Sequence, residues 1–220
     1  MRIAIITLPY FFDGEREIAI KMLEQGIDYL HIRKPDATES DIEDFIKSTP
    51  SEFYHKIALH DHHHLAIKYS LGGVHLNSRN PNPPVGWQRR VSCSCHSLEE
   101  IEAIEGIGAI GEVNEMVKSE KNKSIRNIDY HFLSPIFDSV SKNNYPSKFT
   151  IKQLEDAAKE GIISQRTFAL SGVTLNKLPL LTSIGFGGAA LLGEPWQIAT
   201  EQSSEAFEEY LKMLLMNRLT

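Results

Sequence analysis

Apolar residues follow two rhythms in this chain. Short runs such as Ile3-Ala4-Ile5-Ile6 and Ile57-Ala58-Leu59 alternate with stretches where apolar residues return every three or four positions, as Ile18, Met22 and Leu23 do. The first rhythm reads as a buried strand and the second as an amphipathic helix, so the chain reads as successive βα units around a parallel sheet. Strands are expected at 3–7, 29–33, 56–60, 73–76, 90–94, 129–133, 166–170 and 187–192, and helices at 16–25, 39–48, 62–69, 98–104, 151–160 and 207–217. Eight strands in 220 residues predict the α/β class, as one domain: a single (β/α)8 TIM barrel.

The punctuation agrees. Thr38, Asp61, Ser97 and Thr150 precede four of the helical stretches as N-cap candidates, and Asp41 and Glu100 stand three positions after Thr38 and Ser97. Asn80-Pro81-Asn82-Pro83-Pro84 reads as a loop because proline has no backbone donor. Residues 106–127, with glycine first and then many lysines and glutamates, exceed what a connection needs and read as an insertion with a short helix at 112–118. No longer repeat is visible beyond the βα alternation.

Composition narrows the function classes. Acidic residues outnumber basic ones, 29 to 23, and no Lys/Arg-rich stripe occurs, which argues against nucleic acid as a partner. The apolar N-terminal run is too short for a signal segment or a membrane span and stops at Pro9, so a cytoplasmic protein with no membrane partner is expected. Cys93 and Cys95 have neither disulfide nor zinc-site spacing and read as buried thiols. Apolar Tyr210, Leu211, Leu214 and Leu215 on the last helix are expected to be exposed, which leaves room for a homodimer.

In a parallel barrel the C-terminal strand ends share one mouth, so polar residues there converge. Strand alternation puts His31 and Arg33 on one face, and an inward guanidinium needs an anion, either a ligand phosphate or a carboxylate such as Asp61. Lys142, in the loop after strand six, would add to the cationic set. Gly172 and Gly193 follow strands seven and eight, and a helix starting near Glu194-Pro195-Trp196 would aim its N-terminus at the same place, the pattern of a phosphate cup. His60-Asp61-His62-His63-His64 matches no zinc motif; its histidines 62–64 read as the start of a surface helix and Asp61 as the functional group.

These pieces, in this order, resemble the thiamin phosphate synthase and thiazole tautomerase family of (β/α)8 proteins. The family's Gln-x-Arg-x-Lys pattern is met by His31-Ile32-Arg33-Lys34, its Asn-Asp by His60-Asp61, and its His-x-Gly-Gln-x-Asp by His75-Leu76-Asn77-Ser78-Arg79-Asn80. Its Ser-x-His segment is Ser94-Cys95-His96, its Gly-Pro-Ile segment with paired threonines and a lysine is Ser134-Pro135-Ile136-Phe137-Asp138-Ser139-Val140-Ser141-Lys142, and its phosphate loop is Ser171-Gly172-Val173.

The resemblance implies a synthase in which a pyrimidine diphosphate loses pyrophosphate and the resulting cation is captured by the ring nitrogen of a thiazole phosphate. It implies Arg33, Lys34 and Lys142 on pyrophosphate and Asp61 on Mg²⁺, with Asn80 in the second metal position where the family has an acid. It further implies Ser94 on the pyrimidine diphosphate, Ser139, Val140 and Ser141 around the thiazole, and Ser171, Gly172, Leu192 and Gly193 around its phosphate. His31 and His60 are expected at the mouth, where a histidine of near-neutral pKa suits a thiazole phosphate tautomerase, although Pro135 occupies the position of that branch's own histidine. The same residues also admit a non-catalytic thiazole-phosphate-binding regulatory protein, or an unrelated phosphosugar isomerase.

Overall fold

Strand β1 (Arg2–Ile6) pairs on one side with β2 (Tyr29–Ile32) and on the other with β8 (Gly188–Leu191), which closes the sheet into a ring. In the computed structural model, which describes residues 1–106, 128–138 and 147–216, β3 (Ile57–Leu59), β4 (Gly73–Leu76), β5 (Arg90–Cys95), β6 (Tyr130–Leu133) and β7 (Thr167–Leu170) complete an all-parallel barrel in chain order. Helices α1 (Glu15–Gln25), α2 (Glu39–Ser48), α3 (His63–Lys68), α4 (Leu98–Glu105), α5 (Ile151–Lys159), α6 (Leu178–Ile184), α7 (Gly193–Glu201) and α8 (Ser204–Met216) surround it. The expected single (β/α)8 barrel is the observed fold. Most of the insertion expected at 106–127, its helix at 112–118 included, lies outside the described residues.

Every expected strand is present, shifted by at most one residue at either end; runs such as those of β1, β3, β4 and β8 are buried on both faces, whereas β5 is part-buried. Thr38, Ser97 and Thr150 cap their helices as expected. Capping boxes form at Thr38 with Asp41 and at Thr150 with Gln153, whereas Glu100 reaches past Ser97 to accept from the N–H of His96. Asp61 does not cap α3; that place falls to His62 in the left-handed region, since the Asp61 carboxylate is engaged elsewhere. The proline-rich link from β4 to β5 contains no helix.

Two apolar layers result. One lies between sheet and helices; the other fills the barrel with Ala4, Ile6, Tyr130, Phe132, Phe168 and Ala190. Gly188 makes the second layer fit: a Cβ there would lie 2.3 Å from the Phe168 ring, so the missing side chain is the space the ring occupies. The last helix differs from expectation. Tyr210, Leu211 and Leu214 are buried within the same chain because α8 folds back toward α1 and α7, so they are not an exposed dimerisation stripe. No helix among the described residues is long and apolar enough to cross a membrane.

Candidate active site

Alternation along β2 turns Tyr29 and His31 into the barrel and carries Arg33 to its C-terminal end on the same side. His31 therefore stops short of the mouth. It is fully buried, with Nδ1 3.0 Å from Nε2 of His60 and Nε2 2.7 Å from the Tyr130 hydroxyl. His60 follows β3 and stacks on His75 of β4 at 4.1 Å, and His75 has the Ser92 and Ser94 hydroxyls at 2.9 and 3.0 Å. Burial, reinforced by the neighbouring imidazoles and arginines, pushes the pKa of His31 and of His60 well below the usual histidine value and that of His75 to about 3. The expectation of His31 and His60 as mouth-facing, near-neutral bases is thus corrected: both are neutral and inside the hydrogen-bonded core of the barrel. His75 and Tyr130 belong to the same set and were not singled out from sequence; a tyrosine on an inward strand position, whose hydroxyl needs a partner, is the signal that points to it.

Lys34 also lands elsewhere than expected. As the neighbour of Arg33 it turns to the other face of the strand, where it is buried against α1 with Nζ 2.5 and 2.7 Å from the Glu15 carboxylate oxygens and 2.6 Å from the Tyr10 carbonyl. The Phe11 ring lies 4.4 Å from the same ammonium. Burial lowers the Lys34 pKa and raises that of Glu15, each toward its neutral form, and the close contact between them opposes both shifts. Lys34 is consequently enclosed in a structural ion pair and presents no charge to a ligand at the mouth.

Asp61, after β3, accepts Nε of Arg79 at 3.0 Å on Oδ1 and Nη2 at 2.9 Å on Oδ2. Asn80 Nδ2 donates to Oδ1 as well, at 2.9 Å. Mg²⁺ takes oxygen ligands in near-octahedral geometry and favours carboxylates. Here Asp61 is the one carboxylate of the set, both of its oxygens are bonded to nitrogen donors, and Asn80 turns its amide nitrogen toward it. The residues present do not fit Mg²⁺ as they are arranged; the positive partner of Asp61 is the Arg79 guanidinium.

That pairing bears on Arg33. With Asp61 held by Arg79, Arg33 makes no ion pair with any carboxylate of the described residues. Ser94 is half-buried near the C-terminal end of β5, against His75. On the far side of the rim, Ser171 and Gly172 have φ of 79° and 62°, and a Cβ on Gly172 would lie 2.3 Å from the Asp138 carbonyl oxygen. Glycine is thus needed there for the approach of the loop after β7 to the loop after β6. Gly193 differs: nothing lies within 4 Å of the place of its Cβ, and it opens α7 after Leu192, with no side chain capping the helix. Glu194 points away, accepting from the Leu175 N–H at 2.7 Å and from the Tyr210 hydroxyl at 3.1 Å, so the N–H groups of α7 remain free of a carboxylate cap from its own first turn. Ser139, Val140, Ser141 and Lys142 lie outside the described residues.

Residues 6–194 match the thiamine monophosphate synthase (TMP-TENI) family. The chain belongs to that family. A thiamine phosphate pyrophosphorylase from Bacteroides thetaiotaomicron shares 31% identity with it over 99% of this chain and 98% of its own, with a TM-score of 0.80. A thiamine phosphate pyrophosphorylase from Pyrococcus furiosus shares the fold at 17% identity, covering 98% of this chain and 96% of its own with a TM-score of 0.67. The (S)-3-O-geranylgeranylglyceryl phosphate synthase of Thermoplasma acidophilum, solved with sn-glycerol-1-phosphate, shares it at 12% identity and a TM-score of 0.57, over 99% of this chain and 92% of its own. A search of the curated proteins finds no match.

Proposed function

We propose that this member of the thiamine monophosphate synthase family joins a hydroxymethylpyrimidine diphosphate to a thiazole phosphate and releases pyrophosphate. The observation that carries the reading is Arg33, a guanidinium just past the C-terminal end of β2, close enough to bear on His60 and His75, that no described carboxylate neutralises, while the adjacent Lys34 is sealed against Glu15. The bond that breaks joins the pyrimidine methylene carbon to the diphosphate oxygen, and both electrons leave with pyrophosphate. The thiazole ring nitrogen then supplies the pair for the new C–N bond. Charge develops on the departing oxygen, so a fixed cation beside it lowers the barrier more than a base would. Arg33 fills that role, with Lys142 as the second cation, while Arg79 neutralises Asp61 where the family pattern has a metal. Ser94 orients the pyrimidine diphosphate, Ser139, Val140 and Ser141 border the thiazole, and the α7 N-terminus at Leu192-Gly193, with Ser171 and Gly172, receives its phosphate. No step is routed through Mg²⁺.

The test is a turnover assay on the whole chain with hydroxymethylpyrimidine diphosphate and thiazole phosphate, following thiamin phosphate and pyrophosphate. Turnover that falls at least 100-fold in Arg33→Ala, with the variant folded, is the expected result. Absence of turnover in the wild-type chain with thiazole phosphate still bound would replace the synthase by a ligand-binding protein.

A further inference from the structure

One cluster is left unused by this chemistry. His31, His60 and His75, from three adjacent strands or their ends, each place a ring nitrogen within 4.8 Å of the other two. His31 Nδ1 and His60 Nε2 are 3.0 Å apart. Two imidazole nitrogens bound to one tetrahedral zinc at about 2.0–2.1 Å stand about 3.3 Å from each other, so this pair needs to part by only a few tenths of an ångström.

The surroundings fit as well. A metal-bound imidazole normally donates its other N–H to a hydrogen-bond partner that fixes ring orientation. Tyr130 Oη sits 2.7 Å from His31 Nε2, and the Ser92 and Ser94 hydroxyls flank both nitrogens of His75, so His75 keeps a hydroxyl partner whichever nitrogen binds the ion. His75 stacks on His60 at 4.1 Å with the ring planes 19° apart, and imidazole lone pairs lie in the ring plane, so the His75 ring turns out of this stack to aim a nitrogen at the ion that His60 binds. The His31 tautomer that carries its proton on Nε2, toward Tyr130 Oη, leaves the Nδ1 lone pair for the ion without net proton loss.

We propose that His31, His60 and His75 form a three-nitrogen site inside the barrel for a zinc-class divalent cation. Imidazole donors select late first-row ions and discriminate against Mg²⁺, which takes oxygen. Three protein ligands are the number found where a fourth position is kept for an outside group, and with no carboxylate among them the bound ion favours an anion there. The site stands independently of the synthase reading.

The experiment titrates Co²⁺ into the chelator-treated full chain and follows ligand-field absorption. One Co²⁺ per chain with the intense bands of tetrahedral coordination is expected, displaced by one equivalent of Zn²⁺ and unaffected by excess Mg²⁺. His31→Gln, His60→Gln and His75→Gln each abolish the bands, and His62→Ala/His64→Ala, which removes the half-buried His62 and the exposed His64 at the start of α3, leaves them unchanged. Bands that persist in folded His75→Gln, bands that vanish in His62→Ala/His64→Ala, or no stoichiometric binding would overturn the site. Should the glutamine variants not fold, X-ray absorption on zinc-loaded His62→Ala/His64→Ala decides: three imidazoles support the site and fewer refute it.

Discussion

Arg79 grips Asp61 through both carboxylate oxygens, at 3.0 and 2.9 Å, and Asn80 donates to the same group at 2.9 Å. A second acid in place of Asn80 would set two carboxylates side by side, a pair that a divalent cation relieves. Asn80→Asp is therefore expected to gain a Mg²⁺-dependent stabilisation of about 1.4 kcal/mol at tenfold excess over Kd, read as a rise in thermal midpoint. No such rise is expected in the wild-type chain. A wild-type shift of equal size would mean that Arg79 yields to the ion.

Lys34 and Glu15 are buried together, so removing one partner strands the other. Lys34→Met is expected to cost about 3–5 kcal/mol in urea denaturation. The double variant Lys34→Met/Glu15→Leu recovers most of that loss, because no uncompensated charge remains inside. If the double variant were as unstable as the single one, packing rather than charge would govern the site.

His131 lies buried on β6 with Nε2 3.0 Å from the Thr167 hydroxyl, and burial together with Arg166 lowers its pKa to about 4. Glu105 approaches Nδ1 at 3.6 Å but is already held by Arg166 at 2.5 Å, so the imidazole is neutral and the contact is no ion pair. The unfolded chain takes up this proton near pH 6.5 and the folded chain only near pH 4, so stability is complete above pH 6.5 and declines as pH falls toward 4. The slope from this residue is up to about 1.4 kcal/mol per pH unit. His131→Gln flattens the dependence of urea midpoint on pH by that amount across the window; an unchanged profile would place the proton elsewhere.

Gly188 leaves the volume that the Phe168 ring fills, since a Cβ would come within 2.3 Å of it. Gly188→Ala should destabilise by about 1–3 kcal/mol through overpacking. Adding Phe168→Leu should restore part of it, a non-additivity measurable in a double-mutant cycle by chemical denaturation.

Gly172 and Gly193 separate structure from binding. Gly172→Ala forces a side chain onto the Asp138 carbonyl at a φ of 62° and is expected to lower the thermal midpoint. Gly193→Ala meets nothing within 4 Å and changes stability by less than about 0.5 kcal/mol, yet weakens binding of inorganic phosphate several-fold. Equal phosphate affinity in Gly193→Ala, by calorimetry, would remove the α7 N-terminus from the site.

The chain's own pattern determined the barrel. Runs such as Ile57-Ala58-Leu59 are apolar on both faces, and the capping residues Thr38, Ser97 and Thr150 act within one turn, so strand order and most helix starts follow from local rules. Helix α6 escaped that reading because Leu178-Pro179-Leu180-Leu181 is short and apolar and follows β7 without a side-chain cap. Which charge meets which was decided only by the closed sheet. Arg33 and Lys34 are adjacent in sequence, yet pleating sends one inward to the mouth and the other outward to Glu15, 19 positions away. Asp61 and Arg79 lie 18 apart and meet because β3 and β4 are neighbours, and His31 meets Tyr130 across 99 positions because both point into the barrel. Local propensity fixes elements; long-range partners are set by closure of the sheet, which no short window of sequence contains.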